Sequence, residues 1–255
     1  MTELTRSSLG AEWWTELKSI TLHVDTDPPP IWPAGASEEY QAARRRLAEA
    51  EIALRDQVEA VAAQRRGLPP GPVLPEYPLV EGPRELAADG PEMPVTLADL
   101  FGPHDQLFVY HLMLHQDDDE ACPMCSMWVD GFHGVARHIQ RRAGLAVIAR
   151  APLAKLRRYG RYRGWSGLRL VSAHGSDLLT DLGVQGSRGA QFPAVSVFTR
   201  VGSEVRHAYT QSADLPDGTG RGMDLLNPVW NVWDLLPSGR GDWMPDNSYA
   251  GAGRA

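Results

Sequence analysis

Two cysteines stand two residues apart in the motif Cys122-Pro123-Met124-Cys125, and the chain has no others. They follow a long apolar segment, Gln106–Leu114, which is typical of a central strand buried on both faces of a sheet. Pro123 fits the first turn of a helix, where its missing N–H is not needed, so the pattern predicts a helix from Pro123 to Arg142. A strand that leads into a cysteine pair at a helix start indicates an α/β fold.

Downstream of the cysteines, the predicted elements alternate between strand and helix. Alternation of this kind predicts parallel strands joined by right-handed crossovers, and a closing hairpin makes the sheet mixed. We therefore predict a thioredoxin-like mixed sheet flanked by helices. The predicted elements are strands at Leu145–Ala149 and Leu168–Ala173, a helix at Pro152–Arg163, a hairpin of Ala194–Thr199 with Glu204–Tyr209, and a helix at Gly222–Leu236 that Pro228 kinks or restarts.

The remainder of the chain divides by composition. We expect an N-terminal extension over residues 1–36 with a short helix at Glu12–Ser19, and a long helix over 37–66. A Pro-rich connector over 67–95, with a short strand near Tyr77–Glu81, leads into the thioredoxin-like domain over 96–243. A flexible tail is expected over 244–255.

The predicted long helix carries an apolar row with a spacing of seven residues: Tyr40, Leu47, Leu54 and Val61. This spacing is typical of a coiled-coil seam and predicts a homodimer. Gln57 interrupts the second row of the seam, so packing of the helix on its own domain or on a neighbouring subunit is an equal alternative. We expect Ser37 to cap its first turn.

Charge and cysteine content limit the partners that the chain can have. The net charge is −7, which argues against nucleic acid or an anionic membrane as the main partner. No apolar stretch reaches the length of a membrane span and no targeting segment is visible, so we expect a cytoplasmic protein. Two cysteines in 255 residues exclude a disulfide-built scaffold.

The cysteine pair predicts thiol–disulfide chemistry without a cofactor. A helix start lowers the pKa of a thiol, because free N–H groups and the helix dipole stabilise the thiolate. Cys122 is therefore predicted to attack a protein or small-molecule disulfide. Cys125, one turn further on, would resolve the mixed disulfide.

Three other interpretations use the same sulfurs. A zinc site would recruit His133 and His138, although their spacing of five places them on different helix faces. A copper carrier would use Cys122, Cys125 and Met124 with His111 or His115, because soft sulfur ligands suit Cu(I). In the third interpretation, the protein is a non-catalytic dimeric scaffold, and the cysteines only pack in its core as small apolar side chains.

Two further residues are predicted near the cysteines. Pro193 precedes the hairpin, in the position where a proline of thioredoxin-like folds faces the cysteines and positions the partner; cis and trans isomers are both open. Arg150 ends the second strand at the ligand-binding edge of the sheet, where it would stabilise a thiolate or pair with surface carboxylates. His111 or His115 would act as a proton carrier or lie hydrogen-bonded in the core.

Four acidic residues, from Asp117 to Glu120, run directly into the cysteine motif. Carboxylates close to Cys122 would raise its pKa, although salt and outward-facing side chains would weaken the effect. The run is either a solvated loop or a feature that biases the choice of partner against acidic surfaces.

The ordered motifs resemble the thioredoxin-like bacterial family known as domain of unknown function 899. The matching segments are YHLML at Tyr110–Leu114, CPMCSMWVDGFHG at Cys122–Gly134, RAPLAKL at Arg150–Leu156, Gly164-Trp165, VSAHGSDLLTDLGV at Val171–Val184 and LLPSGR at Leu235–Arg240. The resemblance covers about residues 40–243. It implies a relative of thioredoxins and peroxiredoxins with its cysteine pair in the usual redox position, and it implies no particular substrate.

Overall fold

The computed structural model describes residues 30–186 and 189–248. The chain divides into two compact units between Arg66 and Gly67. The helix predicted at Glu12–Ser19 lies outside the described residues, and so does the end of the predicted tail from residue 249 onward.

Over its described residues, from 30 onward, the first unit contains one long helix, α1, at Glu38–Arg66. The backbone N–H of Tyr40 donates to the Ser37 hydroxyl at 3.2 Å, so Ser37 caps the first turn. Acidic residues in the first turn and basic residues in the last complement the helix dipole. No residue of α1 is buried, and the side chains of Leu47 and Leu54 are 52% and 61% exposed.

The second unit contains one seven-stranded mixed sheet among its described residues. The strands are β1 (Leu79–Glu81), β2 (Met93–Val95), β3 (Gln106–Leu112), β4 (Gly144–Ala149), β5 (Arg169–Ser172), β6 (Ala194–Val201) and β7 (Glu204–Ser212). Across the sheet they lie in the order β2-β1-β5-β4-β3-β6-β7. The helices are α2 (Leu97–Leu100), α3 (Pro123–Ile139), α4 (Leu153–Arg163), α5 (Leu178–Asp181) and α6 (Pro228–Trp233), with a 3₁₀ turn at Asp224–Leu226.

The centre of the sheet has the predicted topology. Strands β3, β4 and β5 are parallel, β6 pairs antiparallel with β3, and β7 closes the hairpin with β6. Together with the N-terminal helix, this confirms the thioredoxin-like mixed sheet with a helical extension. The sequence did not predict β2, because Pro94 within it weakens the strand signal; prolines in strands are confined to edges, and β2 is an edge strand.

Side-chain alternation in β3 separates two cores on opposite faces of the sheet. Tyr110 and Leu112 belong to the core that α3 covers, and the ring of Tyr110 lies 5.6 Å from that of Phe132 in α3. Leu107 and Val109 face the other core, with residues of α2 and α5. The cysteine helix therefore lies over the face of β3 that carries Tyr110.

Local sequence signals set the ends of the later helices. Helix α4 ends at Arg163 and is capped by Gly164, whose φ of 74° is accessible to glycine at little cost. The helix predicted over Gly222–Leu236 is divided as Pro228 suggested: a 3₁₀ turn precedes it, and α6 begins at Pro228. The Asn227 side chain caps α6 by accepting from Val229 N–H at 2.8 Å.

Within the described part of the chain, no helix has the length and apolar character needed to cross a membrane.

Candidate active site

The two cysteines lie where the chain passes from β3 into α3. Cys122 is the N-cap of α3, with φ −50° and ψ 127°, and Pro123 occupies the first helical turn. The N–H of Cys122 donates to the carbonyl oxygen of Met113 at 3.0 Å, which joins the helix start to the residue after β3. The two cysteines are free, and the strand, cysteine pair and helix stand in the predicted order.

Cys122 is partly buried, and its sulfur receives hydrogen bonds. The Cys125 thiol donates to it, and the backbone N–H groups of Cys125 and Met124 point towards it from the first turn of α3. These donors stabilise the thiolate more than burial destabilises it, so the pKa of Cys122 is lowered to about 6. At neutral pH Cys122 is therefore mainly a thiolate, which is the nucleophilic form.

Cys125 is completely buried, and its pKa is raised above the usual range. The largest cause is the hydrogen bond in which it gives its proton to Cys122, followed by burial and by the charge of Cys122. The Tyr110 hydroxyl and the Met113 N–H act in the opposite direction. The pair therefore consists of an accessible nucleophile and a buried thiol that keeps its proton.

Tyr110 faces Cys125 from β3 and is fully buried. Among the described residues its hydroxyl has no partner with ordinary hydrogen-bond geometry. It nevertheless lies close to the Cys125 thiol: Cys125 raises the pKa of Tyr110, and Tyr110 lowers the pKa of Cys125. Burying a hydroxyl without a partner costs about 1–3 kcal/mol. Sequence reasoning missed Tyr110 because the apolar pattern of a buried strand does not distinguish a core tyrosine from one that faces a thiol.

A hydrogen-bond network holds the backbone on both sides of Cys122. The Ser126 hydroxyl lies 3.0 Å from the Cys122 carbonyl oxygen and 2.7 Å from the Tyr159 hydroxyl, and it donates its one proton to either of them. Tyr159 in turn donates to Asn247 Oδ1 at 3.0 Å, and Asn247 Nδ2 donates to the carbonyl oxygen of Ala121 at 2.9 Å. Asn247 lies in the segment predicted as a flexible tail, and no local pattern indicated its contact with the cysteine loop.

The acidic run, residues 117–120, is exposed on the loop before Cys122. Lys155 Nζ secures this loop by donating to the carbonyl oxygens of Gln116 and Asp118, both at 2.5 Å. The main influences on the pKa of Cys122 are its neighbours in α3 and its burial, and none comes from these carboxylates. The run is therefore exposed to solvent, and its effect on the choice of partner stays a prediction.

His111 lies on the face of β3 opposite Tyr110, away from the cysteines. It is buried, and its Nε2 lies 2.8 Å from the Ser196 hydroxyl; burial lowers its pKa to about 3. Of the two fates considered for His111, the hydrogen-bonded core histidine is the one observed. Over residues 30–186 and 189–248, no group of three or more His, Cys, Asp or Glu is arranged to hold a metal ion.

Pro193 and Arg150 flank the end of β3 at the same edge of the sheet as the cysteine loop. Pro193 immediately precedes Ala194, which pairs with His111, and Arg150 follows Ala149, which pairs with Leu112. The peptide bond before Pro193 is trans, which is the second of the two isomers that the sequence left open. The roles of both residues towards a substrate stay predictions.

Residues 30–251 match the family described as "Bacterial protein of unknown function (DUF899)". The match begins before and ends after the range of about 40–243 that the sequence motifs cover. No curated protein matches the chain.

Solved structures with a related fold share little sequence with the chain. Enterococcus faecalis AhpC is 11% identical, with a TM-score of 0.44, over 61% of this chain and 87% of its own. Peroxidoxin BcpB from Mycobacterium tuberculosis is 16% identical, with a TM-score of 0.44, over 62% and 92%. The reduced Plasmodium vivax 2-Cys peroxiredoxin is 12% identical, with a TM-score of 0.43, over 64% and 93%. Similarity at this level does not indicate an activity.

The hydrogen bond from Cys125 to Cys122 leads to a prediction about thiol acidity. A hydrogen bond to an ionised group is worth about 1.5–3 kcal/mol, which corresponds to a change of about 1–2 in pKa. We expect Cys125→Ala to raise the pKa of Cys122 from about 6 by this amount, measured by titrating the ultraviolet absorbance of the thiolate. Cys125→Ser is the matched control, because its hydroxyl keeps a donor and should raise the pKa less. Equal pKa values in Cys125→Ala and the unsubstituted protein would contradict the assignment.

Proposed function

The chain belongs to the bacterial family of unknown function DUF899, and we propose that it is a thiol–disulfide oxidoreductase. The observation that carries the proposal is the shared hydrogen bond of the cysteine pair. It leaves a partly exposed Cys122 as a thiolate and keeps the proton on a buried Cys125 one helical turn away. Neither a packed core cysteine nor a structural metal ligand requires this asymmetry.

The reaction proceeds in two exchanges. The Cys122 thiolate attacks one sulfur of a substrate disulfide, the substrate S–S bond breaks, and half of the substrate leaves as a thiolate. Cys125 then gives up its proton, and its sulfur attacks the Cys122 sulfur of the mixed disulfide. The second half of the substrate leaves as a thiol with that proton, so the substrate is reduced and the cysteine pair is oxidised to an internal disulfide. A cellular dithiol or low-molecular-weight thiol restores the reduced pair, and a reducing compartment such as the cytoplasm suits this cycle.

Pro193 and Arg150 have roles in substrate docking under this proposal. Both lie at the sheet edge from which the cysteine loop emerges, on either side of β3. Pro193 positions the partner against Cys122, and the guanidinium of Arg150 attracts anionic groups of the substrate. Pro193→Ala and Arg150→Gln should therefore slow the first exchange and leave the second unchanged.

A single-turnover experiment tests the proposed chemistry. Reduced protein is mixed with excess dithiobis(nitrobenzoate), an aromatic disulfide whose released thiol is coloured. We expect two coloured equivalents per chain in two phases, one for each exchange, and a final product with an internal Cys122–Cys125 disulfide by mass spectrometry. Cys125→Ala should stop after the first equivalent as a stable mixed disulfide on Cys122.

Two outcomes would contradict the proposal. The first is labelling of both cysteines as separate mixed disulfides, with no internal disulfide. The second is release from Cys122 no faster than from the Cys125 thiol in the Cys122→Ala variant. Elemental analysis of the purified protein tests the metal-carrier alternative, because stoichiometric zinc or copper would favour it.

We also propose that α1 forms a homodimer with α1 of a second copy. Within the helix no residue is buried, although Tyr40, Leu47 and Leu54 form an apolar row with heptad spacing and are each at least half exposed. Because none of the 29 residues of this helix is buried, its apolar row gains no stability from burial within its own chain. Pairing with an identical row would remove those side chains from water.

Substitution on the row tests the dimer without disturbing a core. In the full chain, Leu47→Glu with Leu54→Glu should convert dimer to monomer in sedimentation experiments, because charged residues would face each other across the seam. Ile52→Glu is the matched control: Ile52 is 50% exposed on the opposite side of α1, so this variant should stay dimeric. A monomeric unsubstituted protein, or an unchanged dimer in the double variant, would overturn the proposal.

A further inference from the structure

In the second exchange, Cys125 needs a group that stabilises negative charge on its sulfur. When Cys125 attacks the mixed disulfide, its sulfur becomes an anion in a site that is completely buried. The buried cluster to which it belongs includes Leu112 and Phe132, which offer no hydrogen bond. By then Cys122 carries the substrate in a disulfide and no longer accepts the Cys125 proton. The anion therefore depends on whatever donors the fold places at its sulfur.

Two groups of the described chain lower the pKa of Cys125, the Met113 N–H and the Tyr110 hydroxyl, and both therefore lie close to its sulfur. The hydroxyl is the unusual one, because it is fully buried and has no other partner with ordinary hydrogen-bond geometry in the described chain. A backbone N–H is fixed by the fold, but a buried hydroxyl that leaves its hydrogen bond unmade in the reduced state is available for a group that changes charge.

We propose, on the basis of the redox function proposed above, that Tyr110 is a catalytic residue whose hydroxyl donates a hydrogen bond to the Cys125 sulfur as it becomes a thiolate. Tyr110 stays protonated throughout, because burial and the neighbouring sulfurs raise its pKa well above the usual range. It acts as a hydrogen-bond donor and never as a base, so the Cys125 proton still leaves with the second half of the substrate. The electron and proton balance of the two exchanges is unchanged.

The substitution Tyr110→Phe removes the hydroxyl and keeps the ring that packs against Phe132. Loss of a hydrogen bond to an anion raises a thiol pKa by about 1–2, which lowers the thiolate fraction about 10- to 100-fold. Thiolates of higher pKa are more nucleophilic, and this recovers about half of the loss on a logarithmic scale. We therefore expect the second phase of the dithiobis(nitrobenzoate) reaction to slow by about three- to tenfold, while the first phase keeps its rate.

The matched control is Tyr77→Phe. Tyr77 is also buried, but its hydroxyl donates to Asp181 at 2.9 Å and it belongs to the core on the opposite face of the sheet. This variant also loses a buried tyrosine hydroxyl, and both of its phases should match those of the unsubstituted protein. A general loss of stability would change the first phase as well as the second, whereas the proposed role changes the second alone.

A replacement of Tyr110 by 3-fluorotyrosine tests the same role in a side chain of almost the same shape. Its phenol is a stronger acid and a stronger donor, so the second phase should become faster. An unchanged second phase in both Tyr110→Phe and the fluorotyrosine protein would overturn the assignment of Tyr110, while two-phase release in the unsubstituted protein would still support the oxidoreductase. Failure of the unsubstituted protein to release the second equivalent would instead contradict the proposed function.

Discussion

One hydrogen bond, from the Cys125 thiol to the Cys122 sulfur, determines the charge distribution of the site. It is the largest contribution to the lowered pKa of Cys122 and the largest to the raised pKa of Cys125. The same proton therefore makes one sulfur a nucleophile and keeps the other neutral in the core, where an isolated anion would be costly. The roles proposed for the two cysteines, Cys122 as nucleophile and Cys125 as resolving thiol, follow from this position of the proton.

The fold fixes this hydrogen bond through Met113, the first residue after β3. Its carbonyl oxygen accepts from Cys122 N–H, and its own N–H points to the sulfur of Cys125. The end of a central strand thereby holds both ends of the first turn of α3. On the outer side, Asn247 donates directly to the carbonyl oxygen of Ala121. Tyr159 contacts both Asn247 and Ser126, and the Ser126 hydroxyl lies next to the carbonyl oxygen of Cys122. The sheet and the C-terminal segment together restrain the loop on which the nucleophile lies.

The sequence predicted the fold where one local signal was sufficient, and missed contacts that depend on distant residues. The apolar run of β3, the proline of the first turn of α3 and the strand–helix alternation predicted the sheet and the position of Cys122. Tyr110 and Asn247 were missed, because a core tyrosine and a tail asparagine carry no local sign of the group they contact. The acidic run was ambiguous for the same reason, since its effect depends on the direction in which the loop faces.

The reduction potential of the Cys122–Cys125 pair tests the central claim most directly. Oxidised and reduced protein are equilibrated with a dithiol buffer, and the fraction of internal disulfide is measured by mass spectrometry. A Cys122 pKa of about 6 stabilises the reduced pair relative to a thioredoxin thiol of pKa about 7, so we expect a potential between about −270 and −120 mV. A pair that forms no internal disulfide, or one with the potential of a structural disulfide below about −300 mV, would contradict a redox role for these cysteines.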